Sequence, residues 1–165
     1  MRRLGRSRVT AEESRNPQRV RAAAIGLLAR RDFASGELRR KLTHQGYADD
    51  LVAETVGELI AEGVLNDARY VEHYVSYHDA RGEGPLRIEA DLKEYGVQAD
   101  LIQAALDAGP DWKARAREVR IRRFGPEVPE TWPLKAKQGR FLQYRGFSSD
   151  HIRAALGPDF DIDSD

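Results

Sequence analysis

The chain has 165 residues, enough for a real hydrophobic core without forcing a split into two independent folds, and 33% of them carry charges that sum to zero. It contains no cysteine, which excludes a disulfide framework or a thiolate metal site and suits a reducing cytoplasm. The longest apolar run, residues 22–29, has eight residues, and the arginine-rich start has no apolar segment behind it, so neither a membrane span nor a secretory signal is expected.

Neutrality hides strong banding. Residues 1–41 hold twelve Arg and Lys against four Asp and Glu, residues 42–110 hold four against fourteen, and residues 113–153 hold eleven against four. Two basic ends flank an acidic middle, a polarity that bears on partners more than on fold.

Residues 1–16 mix Arg, Gly, Ser and Glu without periodicity and read as a flexible basic arm. Pro17 suits a first helical turn, and Val20, Ala23, Ala24, Leu27 and Leu28 share one side, which predicts a helix over 17–31. Ser35 is placed to cap a second helix, 37–45, with Leu38 and Leu42 inward and Gly46 at its end. Asp49 or Asp50 would cap a third, with Val52, Val56, Leu59 and Ile60 inward and Gly63 closing it. Asn66 or Asp67 opens a helix carrying Tyr70, Tyr74 and Tyr77, a row that at this spacing reads as core rather than as a stacking platform. Gly82 and Gly84 break that helix, Pro85 starts the next, and Ile88 and Leu92 repeat Leu38 and Leu42. A further unit begins near Asp111, with Trp112, Val119 and Ile121 in its first helix. The Pro-rich insertion 125–133 cannot be helical throughout; helices over 134–145 and 150–156 follow, and the acidic tail 159–165 is expected to fray.

One pattern recurs at a period of 50 residues: Leu42, Gly46, Asp50, Val56; Leu92, Gly96, Asp100, Leu106; Leu142, Gly146, Asp150, Leu156. It predicts a leucine near the end of one helix, a left-handed glycine that terminates it, an aspartate that caps the next and an apolar stripe on that next helix. Such short helices cannot bury their stripes alone, so each unit must dock on neighbours. No stretch alternates with period two over six residues. The expected fold is all-α: three tandem three-helix repeats in an elongated, curved row, with an arm at 1–16, repeats at 17–66, 67–110 and 111–157, and a tail at 158–165.

Catalytic chemistry has little to stand on. His44, His73, His78 and His151 show no ligand spacing, the recurring aspartates read as caps, and 81–85 (Arg-Gly-Glu-Gly-Pro) lacks the Lys-Ser/Thr ending of a phosphate loop. No nucleophile motif is present. A protein without enzymatic activity, metal or cofactor is expected.

The basic clusters remain, and the repeat supplies an internal control for them. Arg39, Arg40 and Lys41 align with Glu89, Ala90 and Asp91 and with Gly139, Arg140 and Phe141, so the fold itself does not demand cations there. With Leu38 and Leu42 inward, Arg39 and Arg40 should face solvent near Arg30 and Arg31. The second cluster is Arg115, Arg117, Arg120, Arg122 and Arg123, joined by Lys135, Lys137, Arg140 and Arg145. Apart from Arg117, these form the candidate contact set for an anionic partner, nucleic acid or an acidic protein surface, against the plain alternative of solvated helix faces.

Leu-Leu-Ala-Arg-Arg-Asp-Phe (27–33), Glu-Leu-Arg-Arg-Lys-Leu (37–42), Asp-Ala-Arg-Tyr (67–70) and Arg-Gly-Glu-Gly-Pro (81–85), in this order and spacing, resemble the RecX family over about residues 17–157. The resemblance implies an all-α cytoplasmic regulator of tandem three-helix repeats. It also implies binding to the RecA recombinase filament on single-stranded DNA and inhibition of its strand exchange, ATP hydrolysis and coprotease activity, which would modulate DNA repair and the SOS response. A monomer without catalytic residues, lodged in the filament groove, is the corresponding expectation. The competing reading is a stand-alone protein that grips nucleic-acid phosphate directly through its two basic ends. The acidic middle favours the first, because a protein surface can use both signs of charge.

Overall fold

The computed structural model describes residues 9–160, and all regular structure among them is helical. The helices are α1 (Ala11–Ser14), α2 (Pro17–Leu28), α3 (Ser35–Gln45), α4 (Asp49–Ala61), α5 (Asp67–Ala80), α6 (Pro85–Glu94), α7 (Ala99–Asp107), α8 (Trp112–Phe124), α9 (Trp132–Arg145) and α10 (Ser149–Leu156). Two compact units result: one runs through Tyr70 and takes in Tyr95–Val97, the other comprises Val71–Glu94 and the chain from Gln98 onward.

In the first unit, Asn16 caps α2 by accepting from the Arg19 N–H at 3.2 Å, and Pro17 occupies the first turn. Val20, Ala24 and Leu27 of α2 meet Leu38 and Leu42 of α3 and Val52, Val56 and Leu59 of α4 in a core that Phe33 and Leu65 complete. Ser35 is not the cap the sequence suggested. Ala34 holds the cap position without a side-chain bond, while the Asp67 carboxylate accepts from the Ser35 N–H at 2.7 Å and from its hydroxyl at 2.6 Å. A carboxylate from the start of α5 thus satisfies the N-terminus of α3 across 32 residues of sequence. Asn66, just ahead of α5, accepts from the Arg69 N–H at 3.0 Å, the capping role the sequence offered it.

The 50-residue pattern is visible in the backbone. Gly46, Gly96 and Gly146 take φ values of 104°, 78° and 96°, the left-handed termination expected of them. The aspartates behave differently. Asp50, Asp100 and Asp150 are second residues of their helices, and the cap positions two residues earlier belong to Ala48, Gln98 and Ser148. Only Ser148 caps through its side chain, in a capping box with His151. The recurring aspartates therefore act as first-turn anions facing the helix dipole rather than as hydrogen-bonding caps.

In the second unit, Val71 and Val75, not the tyrosine row, are the buried residues of α5; Tyr77 is 60% exposed. Asp111 caps α8 through bonds from the Lys113 and Ala114 N–H groups at 3.0 and 3.1 Å. Ala116 and Val119 of α8 pack with Leu142, Phe147, Ile152, Ala155, Leu156 and Phe160. Other expectations also shift. Ile60 and Ile121 are 49% and 43% exposed, because the neighbours Leu59 and Arg120 take the inward positions on their helices. The expected basic arm contains a helical turn at α1, held by a Thr10–Glu13 capping box, with residues 1–8 outside the described part. Phe160 is buried against Trp132, so the chain is anchored at least that far, and residues 161–165 lie outside the described part.

Candidate partner-binding surfaces

In the first unit, α3 turns Leu38 and Leu42 into the core and leaves Arg39 and Arg40 exposed, with Lys41 half-buried at the flank. Arg30 is exposed just beyond α2. Arg31 is engaged in the fold: its guanidinium lies 3.7 Å above the Phe33 ring centroid and makes a two-pronged bond to Glu37 at 3.1 and 2.5 Å. The Glu37 hydrogen bond raises the Arg31 pKa, and burial together with the Glu37 charge pushes the nearby Tyr70 hydroxyl up to about 12. Arg31 therefore anchors the turn between α2 and α3.

The second basic cluster separates by role even more clearly. Arg122, Arg123, Lys137 and Arg140 are exposed, whereas Lys135 and Arg145 are half-buried. Arg115 is tied to Asp79 at 2.6 Å, to the Asp79 carbonyl at 2.9 Å and to Glu118. Burial alone would lower the Arg115 pKa, but Asp79 and Glu118 outweigh it and the value rises. Arg120 is only 2% exposed. It donates to the carbonyls of Glu127 at 2.9 Å and Pro126 at 3.0 Å, and more weakly to Gly125 and Gln138, while its Nε has no partner. Burial pulls its pKa below the usual arginine range. Arg120 is thus a clamp for the 125–131 connection and is not surface available to a partner. The sequence could not separate it from Arg122 and Arg123, because nothing marks a cation that faces inward to hold backbone carbonyls.

Residues outside the candidate set also shape this surface. Arg117 donates from Nε to the Ala154 carbonyl at 2.9 Å and, with Lys113 and Arg153, lines an open depression of about 390 Å³ whose one carboxylate, Asp150, pairs with Arg153 at 3.0 Å. Tyr144 is 78% exposed. Its position was legible in principle, since it lies about 200° around α9 from the inward Leu142. Among the described residues no group of three or more His, Cys, Asp or Glu could hold a metal ion, and no helix is long and apolar enough to cross a membrane.

These features define a class: a protein of three-helix segments whose chemistry outside the core lies in exposed basic faces. Models of the first, second and third three-helix domains of RecX match residues 21–59, 66–106 and 111–156. The chain is 43% identical over 142 residues to a regulatory protein RecX of Ectopseudomonas mendocina (strain ymp), covering 86% of this chain and 95% of that protein. It is 43% identical over 137 residues to one of Halorhodospira halophila (strain DSM 244 / SL1), covering 82% and 85%. The crystal structure of RecX from Lactobacillus salivarius shares the fold with a TM-score of 0.73 at 21% identity, over 89% of this chain and 96% of that one. The chain belongs to the RecX family.

Proposed function

We propose that this protein binds the RecA nucleoprotein filament on single-stranded DNA and inhibits its recombinase, ATPase and coprotease activities, and so modulates DNA repair and the SOS response. The observation that carries the reading is the ordered match of all three RecX three-helix domains across residues 21–156, with relatives named regulatory proteins. The surface supports it in its own terms. Arg39 and Arg40 in one unit and Arg122, Arg123, Lys137 and Arg140 in the other are exposed cations, while the acidic middle supplies the opposite sign. A protein surface with mixed charge is complementary to that distribution, and charge placed at a rim sets association rate and register more than fold stability. The protein acts as a cytoplasmic monomer without catalytic residues of its own, by occupying the filament.

ATP hydrolysis by the cognate RecA on single-stranded DNA, measured with and without this protein, tests the reading. Inhibition at substoichiometric to equimolar ratios is expected; unchanged hydrolysis at severalfold excess would reject it.

A further inference from the structure

We propose that, in the second unit, the outward face of α9 and its junction with the turn between α5 and α6 form a track for single-stranded nucleic acid, with Tyr144 and Tyr77 stacking on bases and Lys137, Arg140 and Arg81 meeting phosphates. This deepens the reading above by assigning the strand itself, rather than the recombinase, to this face.

The junction is built rigidly. The Gly84 N–H donates to the Arg145 carbonyl at 2.7 Å, and the Leu86 N–H donates to the Gly146 carbonyl at 3.0 Å. The Arg145 guanidinium reaches the Arg81 carbonyl at 3.4 Å, while the Arg81 guanidinium lies 5.5 Å from the Tyr77 ring centroid. Tyr77 and the end of α9 are thereby connected through Arg81 and Arg145. On α9 the inward positions are Gln138, Gly139 and Leu142, which turns Lys137, Arg140 and Tyr144 together to the opposite, exposed face. Tyr144 at 78% and Tyr77 at 60% are the two most exposed large hydrophobic side chains among the described residues, and Leu86, whose N–H meets the Gly146 carbonyl, is 52% exposed.

Charge decides the class of ligand. α9 carries four cations and no carboxylate in its fourteen residues. The one carboxylate in the 81–86 turn, Glu83, is buried and already engaged by His78 at 2.8 Å and Arg87 at 3.5 Å. The exposed part of the junction is therefore positive with aromatic faces set into it. Sequence-tolerant strand binding uses that composition, with a cationic surface following the backbone and rings on which successive bases stack. An acidic protein patch could satisfy the cations but would leave the ring faces without a matching role.

The test uses full-length protein and a fluorescently labelled short oligothymidylate. Tyr144→Ala is expected to weaken binding roughly five- to one-hundred-fold and Tyr77→Ala to act in the same direction, whereas Tyr144→Phe, which keeps the ring, should bind within about twofold of the parent. An abasic oligonucleotide of equal length should bind weakly and lose the dependence on Tyr144. Dichroism of each variant checks that the fold is retained. Unchanged oligothymidylate binding by both alanine variants would overturn the proposal, and if those variants nevertheless lost inhibition of RecA ATPase, the face would be a protein-docking surface. Tyrosine-dependent oligonucleotide binding without any effect of the parent protein on RecA would uphold this track and reject the inhibitor reading.

Discussion

Gly84 and Gly146 meet with no room for a side chain between them: a Cβ on Gly84 would stand 2.5 Å from the Gly146 carbonyl carbon and 2.6 Å from the Phe147 nitrogen. Gly146 is confined twice over, by its left-handed φ of 96° and by the Arg87 Cβ, with which a Cβ on Gly146 would overlap. The glycine that ends α9 therefore also receives the α5–α6 turn. Gly84→Ala should destabilise the protein by about 1–3 kcal/mol through forced backbone displacement. Gly57, inside α4 with open space for 4 Å around the position a Cβ would take, predicts the opposite sign: Gly57→Ala should stabilise by roughly 0.5–1 kcal/mol. Urea titration of the two variants checks both.

The Asp67–Ser35 cap gives a graded prediction. Asp67→Ala removes the acceptor of both the Ser35 N–H and its hydroxyl and should cost about 1–2 kcal/mol. Ser35→Ala leaves the backbone bond in place and should cost less. Equal losses in thermal denaturation would contradict the assignment of the cap to Asp67.

Arg120 should separate from its neighbours in a stability scan. Arg120→Ala strands three carbonyls at the 125–127 turn and should cost on the order of 2–3 kcal/mol, while Arg122→Ala and Arg123→Ala should each stay within about 0.5 kcal/mol of the parent. Proteolysis within 125–131 should accelerate only in the first variant.

His151 makes stability depend on pH. Its Nδ1 accepts from the Ser148 N–H at 3.2 Å at the start of α10, a role open only to the neutral ring. Burial lowers its pKa below 6.5, opposed by Asp150 and reinforced by Lys113. Near and below pH 6.5 the unfolded chain binds the proton more readily than the folded one, so this contribution is complete above that value and is lost as pH falls through it. The melting temperature should drop on acidification from pH 7 toward 5, and His151→Gln, which keeps a capping-box side chain, should reduce that slope.

Charge reversal addresses function. Arg39→Glu with Arg40→Glu, and separately Arg122→Glu with Arg123→Glu, should each weaken RecA ATPase inhibition strongly while leaving helix content intact, since exposed charges contribute little to stability. Inhibition should weaken with added salt, steeply if phosphates are contacted. Inhibition by both double variants equal to that of the parent would return these cations to solvated surface.

The helices, their glycine terminations and most of the core were legible in the amino-acid order alone, because these depend on local rules: apolar spacing at 3.6 residues, left-handed φ at Gly46, Gly96 and Gly146, and proline in first turns. The motifs at 27–33, 37–42, 67–70 and 81–85 likewise carried the family. What several polar side chains do was settled only by the folded arrangement. Asp67 caps a helix 32 residues away, Arg120 turns inward to hold a loop, Arg31 and Arg115 are taken up by carboxylates, and Tyr77 faces outward where helical spacing had suggested core. The physical reason is that a charge or a hydroxyl has no intrinsic period or direction: its role is set by whichever donor, acceptor or ring the folded chain brings within about 3 Å, and for Asp67 and Arg115 that neighbour lies more than 30 residues away in sequence.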